Sequence, residues 1–414
     1  MIAAMLTWCV QTVSFSEPLL YNTHMDILIV GGGASGLMAA LSASANEKNN
    51  ITVLERQDRV GRKLLATGNG RCNITNTNAS GKSYHGENPS FASYALEQFG
   101  PSDTLSYFES LGLICREMYG GRVYPLSDSA NSVLDVLRFA CIQKGINIAT
   151  GTFVEACGFK NGRFYAYTSK EVYSADRLIV ACGGKAGGKL GGTGDGYSIL
   201  KSFGHKCTKL YPSLVPVFTN DELTKSLKGV RAEVEIRLNG IKRQGELQFV
   251  EKGISGPAAF DISREAAIKG GEISIDFLTG DVSGILKMRR ENMPSLECGS
   301  ILTGIVHNRL SIALVKYCGI KPSLPVSELT DDDIASIALA CRCFKLNIKG
   351  VGNFDSAQIT VGGISTRDFD SHTMGSLLVP GLYACGEVLD IDGDCGGYNL
   401  QWAWSSGFLA GQIG

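Results

Sequence analysis

The 414-residue sequence has no surplus of charge of either sign, because 39 lysine and arginine residues stand against 40 aspartate and glutamate residues. A chain with a formal charge of −1 has no overall field to attract polyanions, so RNA is disfavoured as a partner. Binding of RNA in a local basic groove is the alternative. No strongly apolar run reaches the length needed to cross a bilayer. We therefore expect no membrane partner.

Metal-binding patterns are also missing. The five histidines are scattered, and Cys341 and Cys343 form a C-x-C pair without a second pair at zinc-site spacing. Several of the 13 cysteines lie in apolar runs, such as the one that ends at Cys182, where a thiol packs as a small hydrophobic group. We expect reduced thiols, a cytoplasmic protein and no metal site.

The sequence contains no internal repeat and no low-complexity tract, and its length exceeds the usual size of one core. Residues 26–30 form a short apolar run that ends in glycines, as a buried parallel strand does. Residues 34–45 predict a helix of small residues, and residues 51–54 predict the next strand. Together they predict a β-α-β unit.

A G-x-G-x-x-G pattern occupies the first turn of this unit, at Gly31, Gly33 and Gly36, and Glu55 closes the second strand. In a dinucleotide site the first glycine permits the tight turn, the second lets the pyrophosphate approach, and the third allows close packing of helix and strand. The acidic residue accepts hydrogen bonds from the ribose. A glycine-rich turn without a ligand is the alternative, and the surrounding strand, helix and Glu55 disfavour it.

The end of the chain repeats the pattern of its beginning, an apolar strand followed by glycines and a helix of small residues. Residues 382–385 predict a buried strand, Gly386 and Glu387 follow it, and residues 405–412 predict a closing helix of small residues. Such a returning segment brings an acidic residue and a helix start to FAD in proteins of the two-dinucleotide-binding type, whereas a nicotinamide dehydrogenase does not need it. An αβ unit with ordinary glycine turns is the alternative.

The middle of the chain shows two other residue patterns, one typical of antiparallel strands and one typical of helices. Residues 232–238 alternate in polarity ahead of a turn at Asn239 and Gly240, which predicts an antiparallel sheet, and helical spacing returns in residues 301–317 and 331–343. The predicted divisions are an extension at 1–24, a discontinuous FAD-binding domain at 25–195 and 352–414, an inserted β-rich substrate domain at 196–280, and a small helical subdomain at 281–351.

Several separated segments occur in the order found in one flavoprotein family: 61–76, 122–125, 212–216, 253–257, 360–363 and 396–407. The first of them, which reads GRKLLATGNGRCNITN, is the most specific. The sequence resembles the HI0933-like flavoproteins, also called the BaiN/RdsA family, and is more similar to the BaiN-like side. Phe249 precedes Val250 and Glu251 where relatives often carry Phe-Thr-His, so no substrate-site histidine is inferred.

The resemblance implies an α/β fold with a Rossmann-like FAD-binding domain of the two-dinucleotide-binding type, an inserted antiparallel β-barrel-like domain and a small helical subdomain. It implies FAD as the cofactor. The candidate cofactor-binding residues are Gly31, Gly33, Ala34, Ser35, Gly36, Glu55, Arg56, Lys63, Gly68, Asn69, Gly70, Arg71, Cys72, Asn73, Val154, Gly183, Gly386, Glu387, Gly397, Tyr398 and Asn399.

The resemblance also implies three activities: reduction of a conjugated double bond in 3-oxo bile-acid intermediates, reduction of a uridine in ribosomal RNA, and oxidation of aminoacetone. Two of them add hydride to an activated C=C bond, so we expect an NAD(P)H-dependent reductase acting on a small molecule. No second G-x-G-x-x-G occurs, so NAD(P)H would bind transiently. The candidates for the proton donor are Tyr398, Cys72 and Tyr124; a flavin-containing binding protein without catalysis stays an alternative.

Overall fold

The computed structural model describes residues 24–219 and 221–413. The predicted N-terminal extension, apart from residue 24, lies outside the described residues. In the described ranges the α-helices are α1 (Ala34–Ala43), α2 (Arg62–Ala66), α3 (Phe91–Gln98), α4 (Pro101–Ser110), α5 (Ala130–Gln143), α6 (Asp195–Ser202), α7 (Glu222–Ser226), α8 (Pro257–Lys269), α9 (Ser283–Asn292), α10 (Asn308–Tyr317), α11 (Asp331–Arg342) and α12 (Tyr398–Gly411).

The β-strands of the same residues run from the β-α-β unit at the start to the short strands that precede the last helix. They are β1 (Asp26–Val30), β2 (Asn50–Leu54), β3 (Thr75–Asn76), β4 (Tyr84–His85), β5 (Cys115–Glu117), β6 (Arg122–Pro125), β7 (Asn147–Ala149), β8 (Val154–Lys160), β9 (Arg163–Thr168), β10 (Val172–Ala175), β11 (Arg177–Val180), β12 (Tyr211–Ser213), β13 (Val217–Phe218), β14 (Arg231–Leu238), β15 (Ile241–Val250), β16 (Gly253–Ser255), β17 (Glu272–Asp276), β18 (Phe344–Asn347), β19 (Gly350–Val351), β20 (Ile359–Val361), β21 (Leu382–Ala384) and β22 (Asp392–Gly393).

A five-stranded parallel sheet in the order β21-β11-β1-β2-β7 confirms the predicted Rossmann-like fold. Strand β1 lies in the middle, and its apolar residues from Ile27 to Val30 are buried, as expected for a strand covered on both faces. The C-terminal strand β21 pairs with β11, with Leu382 opposite Leu178. The last part of the chain therefore completes a sheet that the first part begins.

Helix α12 begins at Tyr398, seven residues before the start that the small-residue pattern predicts. The predicted start at Ser405 was wrong because tertiary contacts, rather than the local pattern, fix the first turns. The indole of Trp402 donates a hydrogen bond to the Gly386 carbonyl, and that of Trp404 donates to the Ile74 carbonyl. Burial of these two large side chains outweighs the weak helix propensity of aromatic residues.

A second, seven-stranded sheet has the strand order β18-β17-β14-β15-β16-β13-β19. Its β14–β15 hairpin turns at Asn239 and Gly240, which both have positive φ, so the predicted Asn-Gly turn is confirmed. The two edge strands, β18 and β19, are separated by only two residues along the chain. The sheet must therefore curl to bring its edges together, while its barrel-like closure stays a prediction.

Helices α9, α10 and α11 pack with this sheet in a second hydrophobic core that contains Leu286, Leu314 and Ile337. Helix α10 begins at Asn308 rather than near residue 301, because Gly304, with a φ of +82°, interrupts the helical pattern. The antiparallel sheet β8–β10, which the sequence analysis did not identify, lies alongside the parallel sheet. Within the described residues no helix is long and apolar enough for a membrane span, and no metal-binding cluster of side chains is found.

The close contact of α1 with α12 depends on Gly407, where a Cβ atom would lie 2.5 Å from the Ser35 carbonyl oxygen. Replacing Gly407 with alanine should therefore force the helices apart and lower the free energy of unfolding by about 1–3 kcal/mol. Urea unfolding followed by fluorescence measures the change. Gly284→Ala in α9 is the matched control, because its Cβ would contact nothing, and it should cause no loss. Equal stability of the two variants would contradict this packing.

Candidate functional site

A cleft of about 1300 Å³ opens at the carboxyl ends of the parallel strands. Val30 at the end of β1, Leu54 at the end of β2 and Ala181 just after β11 contribute to its wall. Ligands of open α/β sheets bind at this edge, where the strand order reverses on either side of the first strand. The position therefore matches that of a dinucleotide site.

A side chain at each of the three fingerprint glycines would have a different consequence. A Cβ on Gly31 would lie 2.5 Å from the Ala181 carbonyl oxygen, and Gly31 has a φ of +109°. A Cβ on Gly36 would lie 1.9 Å from the Gly31 carbonyl oxygen. By contrast, a Cβ on Gly33 would meet no protein atom within 4 Å. Gly31 and Gly36 thus serve packing, whereas Gly33 leaves open space at the wall of the cleft.

The N-terminus of α1 faces this space. Gly33 is the N-cap, no side chain caps the helix, and the first turn contains no acidic residue. Ala34 and Ser35 line the cleft. Uncapped backbone N–H groups and the positive end of the helix dipole are the donors that a pyrophosphate needs, so this end of the cleft fits a dinucleotide.

Glu55 is held at the next strand end by two backbone amides. Its Oε2 accepts from the Gly32 N–H at 2.9 Å, and its Oε1 accepts from the Gln57 N–H at 2.8 Å. A carboxylate has about four acceptor positions, so Glu55 retains two for ribose hydroxyls. The neighbouring Arg56 bonds Thr193 at 2.7 Å and Asp195, so it joins two walls of the cleft.

Lys63 and Glu387 connect the early and the late part of the chain across the cleft. The Lys63 Nζ lies 2.7 Å from the Glu387 Oε2, and the other carboxylate oxygen accepts from the Thr360 N–H at 2.7 Å. Both side chains line the cleft and are largely shielded from solvent. The ion pair therefore fixes the returning segment against α2.

The structure brings eleven of the predicted cofactor-binding residues to the wall of this cleft. They are Gly31, Gly33, Ala34, Ser35, Glu55, Arg56, Lys63, Val154, Gly183, Glu387 and Asn399. The wall also includes Gln57, Arg59, Arg62, Thr152, Phe153, Gly184, Gly191, Gly192, Thr193, Gln358 and Trp402, which the sequence analysis missed. For those between residues 183 and 196, the available signal in the sequence was a glycine-rich stretch directly after strand β11.

The other predicted cofactor-binding residues do not line the cleft: Gly36, Gly68, Asn69, Gly70, Arg71, Cys72, Asn73, Gly386, Gly397 and Tyr398. Gly68, Asn69 and Gly70 form a tight turn with positive φ values. The Asn73 Oδ1 accepts from the Val123 N–H at 3.1 Å, so this amide holds the loop in place. Contact of these residues with a flavin ring stays a prediction.

The three candidates for a proton donor have different surroundings. Cys72 is fully buried, and burial raises the pKa of its thiol to about 12. The Tyr124 ring is buried and lies under the Arg71 guanidinium, 4.5 Å from the ring centre. Tyr398 is half-buried at the start of α12, and burial raises the pKa of its hydroxyl. None of the three lines the cleft.

Comparison with known proteins agrees with this geometry. The family described as the HI0933-like protein Rossmann domain matches residues 25–413. The chain belongs to the HI0933-like family. It is 38% identical over 399 residues, 93% of this chain and 97% of the relative, to the 3-dehydro-bile acid delta(4,6)-reductase of Clostridium scindens. It is 29% and 30% identical to the ribosomal RNA dihydrouridine synthases of Escherichia coli and Haemophilus influenzae, in each case over 94% of this chain and 98% of the relative.

Gly33→Val should strongly weaken FAD binding without unfolding the protein. The valine side chain would occupy the space beside the α1 N-terminus and block hydrogen bonds to the pyrophosphate, each worth about 1.5–3 kcal/mol, so we expect at least ~100-fold weaker binding. Fluorescence titration of FAD into the apoprotein measures the dissociation constant. The unfolding curve of the apoprotein is the control and should match the wild type. Unchanged FAD affinity would show that the pyrophosphate lies elsewhere.

Cys72 should resist alkylation in the folded protein. Its thiol is buried and protonated at pH 8, whereas the thiolate is the form that reacts with iodoacetamide. Peptide mass spectrometry should find Cys72 unmodified in native protein and modified in urea. Labelling of native Cys72 at the rate of an exposed thiol would instead reveal an accessible reactive cysteine.

Proposed function

We propose that the protein is an FAD-dependent reductase of a C=C bond conjugated to a carbonyl, that NAD(P)H is its electron donor, and that a 3-oxo bile-acid dienone is its substrate. The observation that carries the proposal is the 38% identity, over nearly the full length of both chains, to a 3-dehydro-bile acid delta(4,6)-reductase. The cleft at the carboxyl edge of the parallel sheet supports it, since that cleft has the donors and acceptors that FAD requires.

The residues that would hold FAD follow from the geometry of the cleft. Backbone N–H groups at Ala34 and Ser35 would bind the pyrophosphate, and Glu55 would accept hydrogen bonds from the adenosine ribose. Lys63 and Glu387 would keep the returning segment in place beside the cofactor. Bound FAD supplies the redox chemistry by carrying a hydride between donor and acceptor.

The start of α12 would provide electrostatic support for the reaction. Asn399 and Leu400 lie in its first turn and line the cleft, and no side chain caps this helix. Its positive end would stabilise the negative charge that develops on a carbonyl oxygen when the conjugated double bond is reduced. The chain has no second dinucleotide fingerprint, which supports brief rather than permanent binding of NAD(P)H.

A cytoplasmic location is part of this proposal. NAD(P)H is an intracellular reductant, and all of the cysteines that the structure describes are free thiols.

Anaerobic mixing of the FAD-loaded protein with NADH or NADPH tests the proposed reaction. We expect the visible absorbance of the oxidised flavin to disappear with at least one donor and to return when a 3-oxo-4,6-diene steroid is added. Mass spectrometry should show a product two hydrogens heavier.

The same experiment separates the competing functions. Reoxidation by ribosomal RNA but not by the steroid would favour the uridine-reducing activity named for the Escherichia coli relative. Bleaching by aminoacetone followed by oxygen consumption would favour an amine oxidase. A flavin that neither donor reduces would contradict the reductase and favour a binding protein.

A further inference from the structure

A second cleft, of about 460 Å³, lies between β22 and the seven-stranded sheet. Seven titratable or charged residues line it. Glu265 is paired with Lys269 and Asn239, and the other six are His85, Arg243, Asp261, Arg264, Asp392 and Asp394. They come from β4, β15, α8 and the segment that precedes α12, so the cleft is formed by four separate parts of the chain. None of them lines the first cleft, at the carboxyl ends of the parallel strands, which is called the cofactor cleft from here on.

Asp392 is the unusual member of this group. Its side chain is only 1% exposed, and its Oδ2 accepts a hydrogen bond from the Arg264 Nε at 3.0 Å. Its Oδ1 is buried and has no hydrogen-bond partner among the residues that the structure describes. An unsatisfied buried carboxylate oxygen costs about 1–3 kcal/mol or more, so it calls for an explanation, and a hydrogen-bond donor on a ligand is one that this cleft allows.

Two contacts hold Asp392 in position. It pairs with His85 in the short antiparallel β22–β4 ladder, and Arg264 donates a hydrogen bond to its carboxylate. A fixed acceptor in a cleft is typical of a site that selects a ligand group by hydrogen-bond geometry, because little freedom is lost when the ligand binds.

The charges of the cleft determine which group can bind there. The Asp394 Oδ1 lies 2.8 Å from the His85 Nε2 and 3.9 Å from an Arg243 nitrogen, while Arg264 is paired with Asp392. The cationic groups are therefore already paired with acids, and Asp261 adds a further acid, held by the Cys395 N–H at 3.1 Å. A carboxylate or phosphate would be repelled, whereas a neutral hydrogen-bond donor matches the free oxygen.

The second cleft is close to the cofactor cleft. Asn399 is among the residues that line the cofactor cleft, and its side chain bonds Gly393: the Nδ2 donates to the Gly393 carbonyl at 2.8 Å and the Oδ1 accepts from the Gly393 N–H at 2.9 Å. Gly393 in turn lines the second cleft. The linings of the two clefts are therefore in direct contact through Asn399 and Gly393.

We propose that the second cleft binds a hydroxyl group of the electron-accepting substrate, with the Asp392 Oδ1 as the hydrogen-bond acceptor. The inference rests on the proposed function and specifies its substrate class as a hydroxylated 3-oxo steroid. Burial raises the pKa of Asp392 to about 6, with Arg264 and His85 opposing the shift, so the carboxyl is mainly an acceptor at neutral pH.

Calorimetric titration of oxidised, FAD-loaded protein tests this site without any turnover. The ligands are 3-oxo-4,6-diene steroids, each matched with a counterpart that lacks one ring hydroxyl. A hydrogen bond to a charged acceptor is worth about 1.5–3 kcal/mol, so at one ring position the wild type should bind the hydroxylated steroid about 10–100-fold more tightly. Asp392→Leu should lose this preference and bind both members of the pair alike.

Two further variants keep the result interpretable. Asp392→Asn retains shape and one acceptor and should keep part of the preference, which separates recognition from misfolding. Asp103→Asn is the matched control, because Asp103 accepts from the Gly100 N–H at the start of α4 and lines neither cleft; its preference should equal the wild type. Equal binding of every matched pair by the wild type would overturn the hydroxyl site alone. Failure of all the steroids to bind would overturn both this inference and the proposed substrate.

Discussion

The close approach of backbone to backbone at the turn between β1 and α1 is the constraint on which the rest of this structure depends. Gly31 packs against the carbonyl after β11, Gly36 packs against Gly31, and Gly407 of α12 packs against Ser35 at the start of α1. Three parts of the chain that are far apart in sequence meet there without intervening side chains. The uncapped α1 N-terminus is thereby left facing the cleft, with its N–H groups available to a phosphate.

The parts of the fold that could be predicted are those in which local chemistry determines structure. The β1 apolar run, the glycines after it and Glu55 each have a local physical reason, and Asn239 with Gly240 is the preferred pair for a tight hairpin. The return of the chain to the first sheet was readable from the apolar strand near its end. These features needed no knowledge of distant contacts.

The parts that could not be predicted depend on contacts between distant residues. The start of α12 is set by the hydrogen bonds of Trp402 and Trp404, which no spacing rule contains. The second cleft brings His85, Arg264 and Asp392 together from segments more than 100 residues apart, and each of them alone is an ordinary charged residue. Sequence patterns identified the glycine-rich turn after β1, whereas only the folded chain shows which acids become buried.

The two clefts differ in what they can recognise. The cofactor cleft contains the uncapped α1 N-terminus and the Glu55 carboxylate, which are general features of dinucleotide-binding folds, together with the Lys63–Glu387 pair. The second cleft offers one unpaired acceptor among paired charges, which suits a specific ligand group. Substrate choice in this molecule is therefore expected to depend on residues outside the fingerprint.

Binding of FAD is the claim that the whole account requires. The most direct measurement is the visible absorbance spectrum of the purified protein after incubation with excess FAD and removal of the free cofactor. We expect a yellow protein with about one flavin per chain, because the chain has a single dinucleotide fingerprint. A protein that stays colourless, with its secondary structure intact by circular dichroism, would contradict it.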